Sequence, residues 1–297
     1  MLAFSLTVPA TRVAAPVLGG WTVGFGRAVG ATVLAVAALA LARAPLLPPR
    51  GVRTRLVVIG AGVVLGFPVL TSLALQSAPA VHAAVFIGLL PAATAGAAVL
   101  RAGERPSRRY WAATALGVVG VLGFAAGGGA RGLYVADLLL LGAVAAAAVG
   151  YAEGAVLTRQ HGGRRVISWA LICTAPVTVP LSVWAVAGTW GSATASSIDA
   201  QVWVAFGYVT VVSMFLGFLA WYAGLAQGGV ARVGQLQLLQ PFLSLGWAAW
   251  LLGERITPAD LAAAGIVLLA VALGRRASVS TRRRPPHSAT DPLLTRR

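Results

Sequence analysis

Nine continuously apolar runs divide the chain, near residues 20–42, 56–77, 80–100, 109–126, 133–157, 166–188, 201–225, 231–252 and 259–274, and residues 2–18 make a shorter tenth. A run of about 17 to 25 apolar residues, wound as a helix, matches the hydrocarbon thickness of a bilayer. The runs are rich in Ala, Leu and Gly and do not alternate apolar with polar positions, which excludes a transmembrane β-barrel. The pattern predicts an all-α membrane protein with about ten transmembrane helices. The first run is the short one, because Arg12 interrupts it after about ten apolar or hydroxyl residues, where a full crossing takes about 20. With no basic stretch ahead of it, it does not read as a secretory signal.

The same pattern is written twice. Leu89-Leu90-Pro91 through Gly103-Glu104-Arg105 returns as Leu239-Gln240-Pro241 through Gly253-Glu254-Arg255, and the paired prolines, glycines and glutamates each lie 150 positions apart. Gly96 and Gly246, Ala98 and Ala248, and Ala112 and Ala262 keep the offset. A half-length repeat in a very apolar chain is the mark of transporter folds built from two related halves. Five spans per half is an odd number, so the second half is expected to be inverted relative to the first. The expected division is a first repeat over residues 1–130 and a second over 131–276. Residues 277–297 form a basic tail without apolar content, expected to be disordered and cytoplasmic.

Composition agrees with a lipid solvent: 297 residues are 58% hydrophobic and 10% charged, and the mean hydropathy is +0.84. All 23 basic residues are Arg. Nineteen fall on alternate connections and the tail, including Arg43, Arg50, Arg53, Arg55, Arg101, Arg105, Arg108, Arg109, Arg159, Arg164 and Arg165. The positive-inside rule therefore places both termini in the cytoplasm and the protein, multi-pass, in the cytoplasmic (inner) membrane. Topology accounts for the net charge of +16, so the charge carries no indication of nucleic acid. Cys173 is the lone cysteine and lies inside a span, which excludes an internal disulfide.

The two stretches from apolar-Pro to Gly-Glu-Arg, each followed by a further span, resemble the ends of EamA repeats in the drug/metabolite transporter superfamily, in particular its ten-span EamA-like members. The likeness runs over roughly residues 3–274, and the fuller copy reads Leu238-Leu239-Gln240-Pro241 with Leu252-Gly253-Glu254-Arg255-Ile256-Thr257. The resemblance implies two five-helix repeats, a central cavity beside the fourth and ninth spans, and alternating access of a small solute. Ala3-Phe4-Ser5-Leu6-Thr7-Val8-Pro9 departs from the Trp-Gly-Ser-type segment usual there.

Polar residues inside spans are costly, and they are the candidates for chemistry. Glu153 is the most expensive, at about 2.5 to 3.5 kcal/mol on insertion scales. It is expected either to bind a cation or proton or to pair with a neighbouring helix near the inner interface. Arg27 and Asp137 lie about two turns from the outer ends of their spans, where they form an ion pair or, with Arg12, select anions at the outer mouth, and His82 flanks the same end. In the ninth span Gln237, Gln240 and Ser244 share one helix face, with Gln235 nearby. They line a cavity or bond helices together. Thr71 and Ser72 correspond at the repeat offset to Trp221 and Tyr222, and all four are placed at the cavity. Pro91 and Pro241 are expected to kink the two equivalent helices.

No metal cluster, catalytic motif or nucleotide-binding loop occurs, so no cofactor, metal site or catalytic residue is assigned. The chain reads as a secondary transporter for a small organic metabolite, amino acid-like or drug-like, with proton coupling as one option. The lipid bilayer is its other partner, and the pattern says nothing of oligomeric state. An intramembrane enzyme and a non-transporting membrane scaffold are the rival readings.

Overall fold

In a computed structural model the protein is described at residues 1–102, 105–106, 108–127, 135–189, 198–228, 237, 239–276 and 279–280. The chain opens with α1 (Leu2–Ser5), α2 (Thr7–Leu18) and α3 (Gly20–Leu41). A continuous rod over Arg50–Ala74 follows, made of a 3-10 turn, α4 (Arg53–Ile59), a π-helical segment (Gly60–Gly66) and α5 (Phe67–Ala74). Next come α6 (Ala80–Ile87), α7 (Leu90–Ala102), α8 (Arg108–Gly127), α9 (Val135–His161) and α10 (Gly163–Thr189). A second rod consists of α11 (Ala200–Gly207), a π-helical segment (Tyr208–Leu216) and α12 (Gly217–Gly228). The described helices end with α13 (Gln240–Leu252) and α14 (Pro258–Arg276). Gly103, Glu104, Arg131, Tyr134, Trp190, Arg232 and Gln235 lie outside the described residues, as does the tail apart from Val279 and Ser280. Those two pair antiparallel with Arg105 and Pro106.

Five helices among the described residues are long and apolar enough to cross a membrane: Gly20–Leu41, Arg50–Ala74, Val135–His161, Gly163–Gly188 and Ala200–Gly224. Leu2–Leu18, Ala80–Thr94 and Pro258–Ala270 are shorter apolar helices. Aliphatic side chains cover the outside of the bundle, and its largely apolar core encloses a set of polar residues. Val33, Val119, Val183, Val204, Leu261 and Trp250 are exposed. Thr7, Arg27, Thr71, Ser72, Asp137, Glu153, Ser213, Gln237, Gln240 and Ser244 are buried. That arrangement suits lipid, which solvates aliphatic side chains and leaves polar groups to find partners inside.

Both π-helical segments end at equivalent positions, Gly66 and Leu216, 150 residues apart. The helices following the breaks, α7 and α13, likewise start at the equivalent residues Leu90 and Gln240, one residue before Pro91 and Pro241. Proline lacks the N–H that would continue a helix but fits its first turn. Pro91 therefore sits in the first turn of a new helix, and Pro241 holds the same place in α13. The break falls at Gly88 and Leu89, whose N–H groups turn back to Ala84, Val85 and Phe86 carbonyls. Packing pairs α3 with α10 and α8 with α14, while α9 lies along the first rod and α2 against the second. The contact of α7 with α9 has its counterpart in that of α13 with α1 and α2, and the contact of α3 with the second rod has its counterpart in that of α10 with the first.

Close approach is bought with glycine. A Cβ on Gly62 would lie 2.5 Å from the Ala146 carbonyl oxygen and 2.9 Å from the Gly150 nitrogen. The first rod and α9 therefore meet backbone to backbone, as small residues permit in lipid. At the turn between α9 and α10, Gly162 takes φ +80, a conformation glycine adopts without steric cost.

Candidate functional site

Polar contacts collect at the two ends and at one interior level. At one end, poor in arginine, the Arg12 guanidinium donates from Nη1 to the carbonyls of Leu75 and Gln76, each at 3.0 Å. His82 Nε2 meets Asp137 Oδ1 at 2.6 Å. The Glu254 carboxylate accepts from the backbone N–H groups of Ala80 and Val81 at 2.9 and 2.8 Å. Glu254 thus caps the exposed donors at the start of α6 across the two halves, satisfying orphan N–H groups and the positive end of the helix. Thr257 and Asp260 form a reciprocal cap on α14, with Thr257 N–H donating to Asp260 Oδ2 at 2.7 Å. A groove of about 840 Å³ opens at this end between the start of α6, α8 and α14, and His82, Glu254 and Asp260 are among its walls. None of the residues expected to line a central cavity lies in it.

At the opposite, arginine-rich end, Arg55 Nε lies 3.3 Å from Glu153 Oε1. The Trp169 indole donates to the Pro45 carbonyl at 2.8 Å, and the His161 ring stands against Trp169. Glu153 thus faces a basic residue on a neighbouring helix. Its carboxylate is nearly buried while Arg55 is half exposed, so the pair bridges from interior to interface.

Between the ends lies the buried level. Arg27 is 1% exposed and Ser213 1%. Arg27 Nη2 reaches Ser213 Oγ at 3.4 Å and Met214 Sδ at 3.8 Å. Ser213 Oγ is 2.8 Å from Thr7 Oγ1, and Thr7 Oγ1 is 3.5 Å from the Ala3 carbonyl. A guanidinium only donates, so Ser213 accepts from Arg27 and passes its own proton toward Thr7, which donates to Ala3. The Arg27–Asp137 ion pair suggested by sequence is absent among the described residues. Asp137 meets His82, and Arg27 turns inward to the π-helical segment of the second rod.

Beside Arg27 is an aromatic cluster that the sequence pattern did not single out. Phe218 lies one turn beyond Met214, which Arg27 touches, and the Tyr151 ring is 5.9 Å from Phe218 and 6.0 Å from Trp221. Phe4 meets Phe218 at 5.3 Å and Trp221 at 6.3 Å, edge to face. Tyr222 stands 5.7 Å from Phe218, and its hydroxyl abuts Gly154. Trp221 and Tyr222 are therefore gathered beside the stretch of α9 that carries Glu153. The repeat offset points to Trp221 and Tyr222 of this cluster but not to Phe4, Tyr151 or Phe218.

The remaining candidates are buried but differently engaged. Ser244 donates to the Ser5 carbonyl at 2.9 Å, and the Trp247 indole donates to Ser5 Oγ at 3.0 Å. Ser244 thus bonds α13 to α1. Gln237 and Gln240 are 4% and 6% exposed. The hydroxyls of Thr71 and Ser72 are buried without a hydrogen-bond partner among the described residues.

With the bundle, its paired helix breaks and its polar interior in view, the likeness to known proteins is specific. The model of the EamA-like transporter family matches residues 1–126 and again 134–274. The chain belongs to the EamA-like transporter family. A Bacillus subtilis (strain 168) protein described as an uncharacterized transporter, YdeK, is 44% identical over 278 residues, which cover 93% of this chain and 94% of that one. A protein of known crystal structure, 20% identical, superposes with a TM-score of 0.57 over 92% of each chain, a likeness that speaks to fold alone. As an EamA-like transporter the chain is a multi-pass membrane protein, and lipid and a small-molecule solute are its partners.

Proposed function

We propose that this EamA-like protein is a ten-span secondary transporter that carries a small organic solute across the cytoplasmic membrane by alternating access. Its two five-helix halves are inverted relative to one another, and the arginine-rich end faces the cytoplasm. The observation that carries the reading is the pair of equivalent helix starts at Leu90-Pro91 and Gln240-Pro241, together with the polar residues buried in the bundle. Broken helices beside a midplane site are how transporters of repeated architecture expose one site to either face.

The arginine asymmetry supports the orientation. The half-exchange of contacts and the matching π-helical segments support the inverted pair. In this reading Thr71, Ser72, Trp221, Tyr222, Gln237 and Gln240 line the solute path, Ser244 holds α13 in place, and His82, Asp137 and Arg12 close the outer mouth. Glu153 couples transport to protons or cations when its pair with Arg55 opens.

A metabolite-by-metabolite uptake and efflux screen with purified protein in proteoliposomes tests the reading. At least one small organic solute is expected to move faster than through protein-free vesicles. A single cysteine at position 160 should react only from the cytoplasmic face, and labelling from outside alone would reverse the orientation.

A further inference from the structure

Arg27 is a fully buried cation without an anion. Neither ion pair among the described residues includes it, and its Nε and Nη1 have no hydrogen-bond partner there. Ser213 and Met214 engage only Nη2, through one long hydrogen bond and one contact to sulfur. Neither contact neutralises the charge. A charge held unpaired in a membrane interior is costly and is retained where function requires it.

Two further buried donors, on the aromatic cluster, lack a partner among the described residues. Trp221 Nε1, like the guanidinium nitrogens, can only donate, and the Tyr222 hydroxyl is a further donor. No carboxylate or amide oxygen is among the buried side-chain atoms left without a partner in the described residues. A buried guanidinium with two nitrogens unpartnered among the described residues is complementary to a group that accepts hydrogen bonds and is negative. The carboxylates at both ends are engaged, Asp137 with His82 and Glu153 with Arg55. The walls between are the rings of Phe4, Tyr151, Phe218 and Trp221, which suit an apolar body. Ser213 and Met214 belong to the π-helical segment Tyr208–Leu216, a departure from α-helix of the kind that recurs at functional sites.

We infer that Arg27 anchors an oxyanion of the transported solute, so that the substrate class is a small organic carboxylate with an apolar body. The inference rests on the transporter reading for the word substrate, but the anchor itself is testable without flux. Ser213 and Thr7 act as positioning residues: their hydroxyl chain holds the guanidinium by Nη2 and leaves Nε and Nη1 to the solute.

The test is equilibrium binding to the full-length protein in detergent, read by tryptophan fluorescence and by thermal stability. The probes are matched sets of one body and three head groups, such as phenylacetate, phenylacetamide and 2-phenylethylamine, and the same for acetate and indole-3-acetate, with chloride titrated alone. Carboxylates are expected to bind in preference to their amides and amines. Arg27→Gln should weaken the carboxylates by roughly 10- to 100-fold, the worth of a charge-assisted hydrogen bond or two. Arg27→Lys, which keeps the charge and loses the planar fork, should fall between. Should Arg27→Gln fail to fold, Arg27→Lys and Ser213→Ala carry the test, each weakening carboxylates and leaving amides unchanged.

Equal binding of acid, amide and amine, or carboxylate binding indifferent to both Arg27 variants, overturns the inference. Saturation by chloride with no competition from any carboxylate overturns it as well. A transported solute that lacks an anionic group, moved at wild-type rate by Arg27→Gln, overturns the anchor and leaves the transporter standing. Carboxylate binding through Arg27 with no solute moved in any vesicle leaves the anchor and overturns the transporter.

Discussion

Glu254→Ala should loosen the arginine-poor end by a calculable amount. The Glu254 carboxylate takes two backbone N–H groups, from Ala80 at 2.9 Å and Val81 at 2.8 Å, and so ties the loop ahead of α14 to the start of α6. A buried hydrogen bond to a charged group is worth about 1.5 to 3 kcal/mol. These bonds are partly exposed, so water replaces much of what is lost, and a net cost of about 1 to 2 kcal/mol for the pair is the appropriate scale. At 1.4 kcal/mol per factor of ten, that moves the equilibrium between closed and open ends by roughly 5- to 30-fold.

The assay uses a Cys173→Ser background with Ser72→Cys, since Ser72 is fully buried in the closed arrangement. A membrane-impermeant maleimide added from the face of Arg12 and Glu254 should label that cysteine roughly 5- to 30-fold faster in Glu254→Ala, with Glu254→Gln in between. An unchanged rate together with an unchanged melting temperature would refute the latch.

Glu153→Gln is expected to abolish or uncouple transport while the protein stays folded, and Arg55→Gln to reduce transport without altering its pH dependence. Equal effects of the two on rate and on pH dependence would assign the pair to structure alone. Gln240→Leu should weaken transport far more than Leu90→Gln at the twin position alters it, measured as initial rates at matched insertion. Equal small effects would make the glutamine face helix-packing glue. Gly150→Ala sets a Cβ 2.7 Å from Val63 Cγ1 and 3.1 Å from the Val63 nitrogen, so rod and helix must part at a cost of about 1 to 3 kcal/mol. A lower melting temperature checks it, and an unchanged one would mean that α9 is not seated on Val63.

The helices were legible because lipid demands long apolar runs with few interruptions. The run read at 20–42 is the helix Gly20–Leu41, and that at 259–274 lies within Pro258–Arg276. The run read from 56 begins instead at Arg50, because a polar first turn at an interface is helical without being apolar. The paired breaks were legible in Pro91 and Pro241, since proline acts through its own backbone. Side-chain partners were not. Arg27 was assigned with Asp137 to an outer mouth from distance along each helix, whereas its partner follows from how α3 is rotated toward the second rod. The cluster of Phe4, Tyr151, Phe218, Trp221 and Tyr222 joins three distant segments, and no local periodicity carries that information. Glu153 was recognised as costly, but Arg55, on a different helix, could not be named in advance as its partner.

The central claim is that one interior site is presented alternately to the two faces, and solute exchange measures this most directly. Proteoliposomes holding the wild-type protein are loaded with a defined mixture of small organic solutes, and isotopically labelled forms are supplied outside. Mass spectrometry then follows the entry of each label with and without its unlabelled counterpart inside. A carrier predicts at least one solute whose labelled form enters faster when the unlabelled form is inside, saturably and beyond protein-free vesicles. Entry that matches protein-free vesicles for every solute, or that is indifferent to the solute inside, contradicts the account.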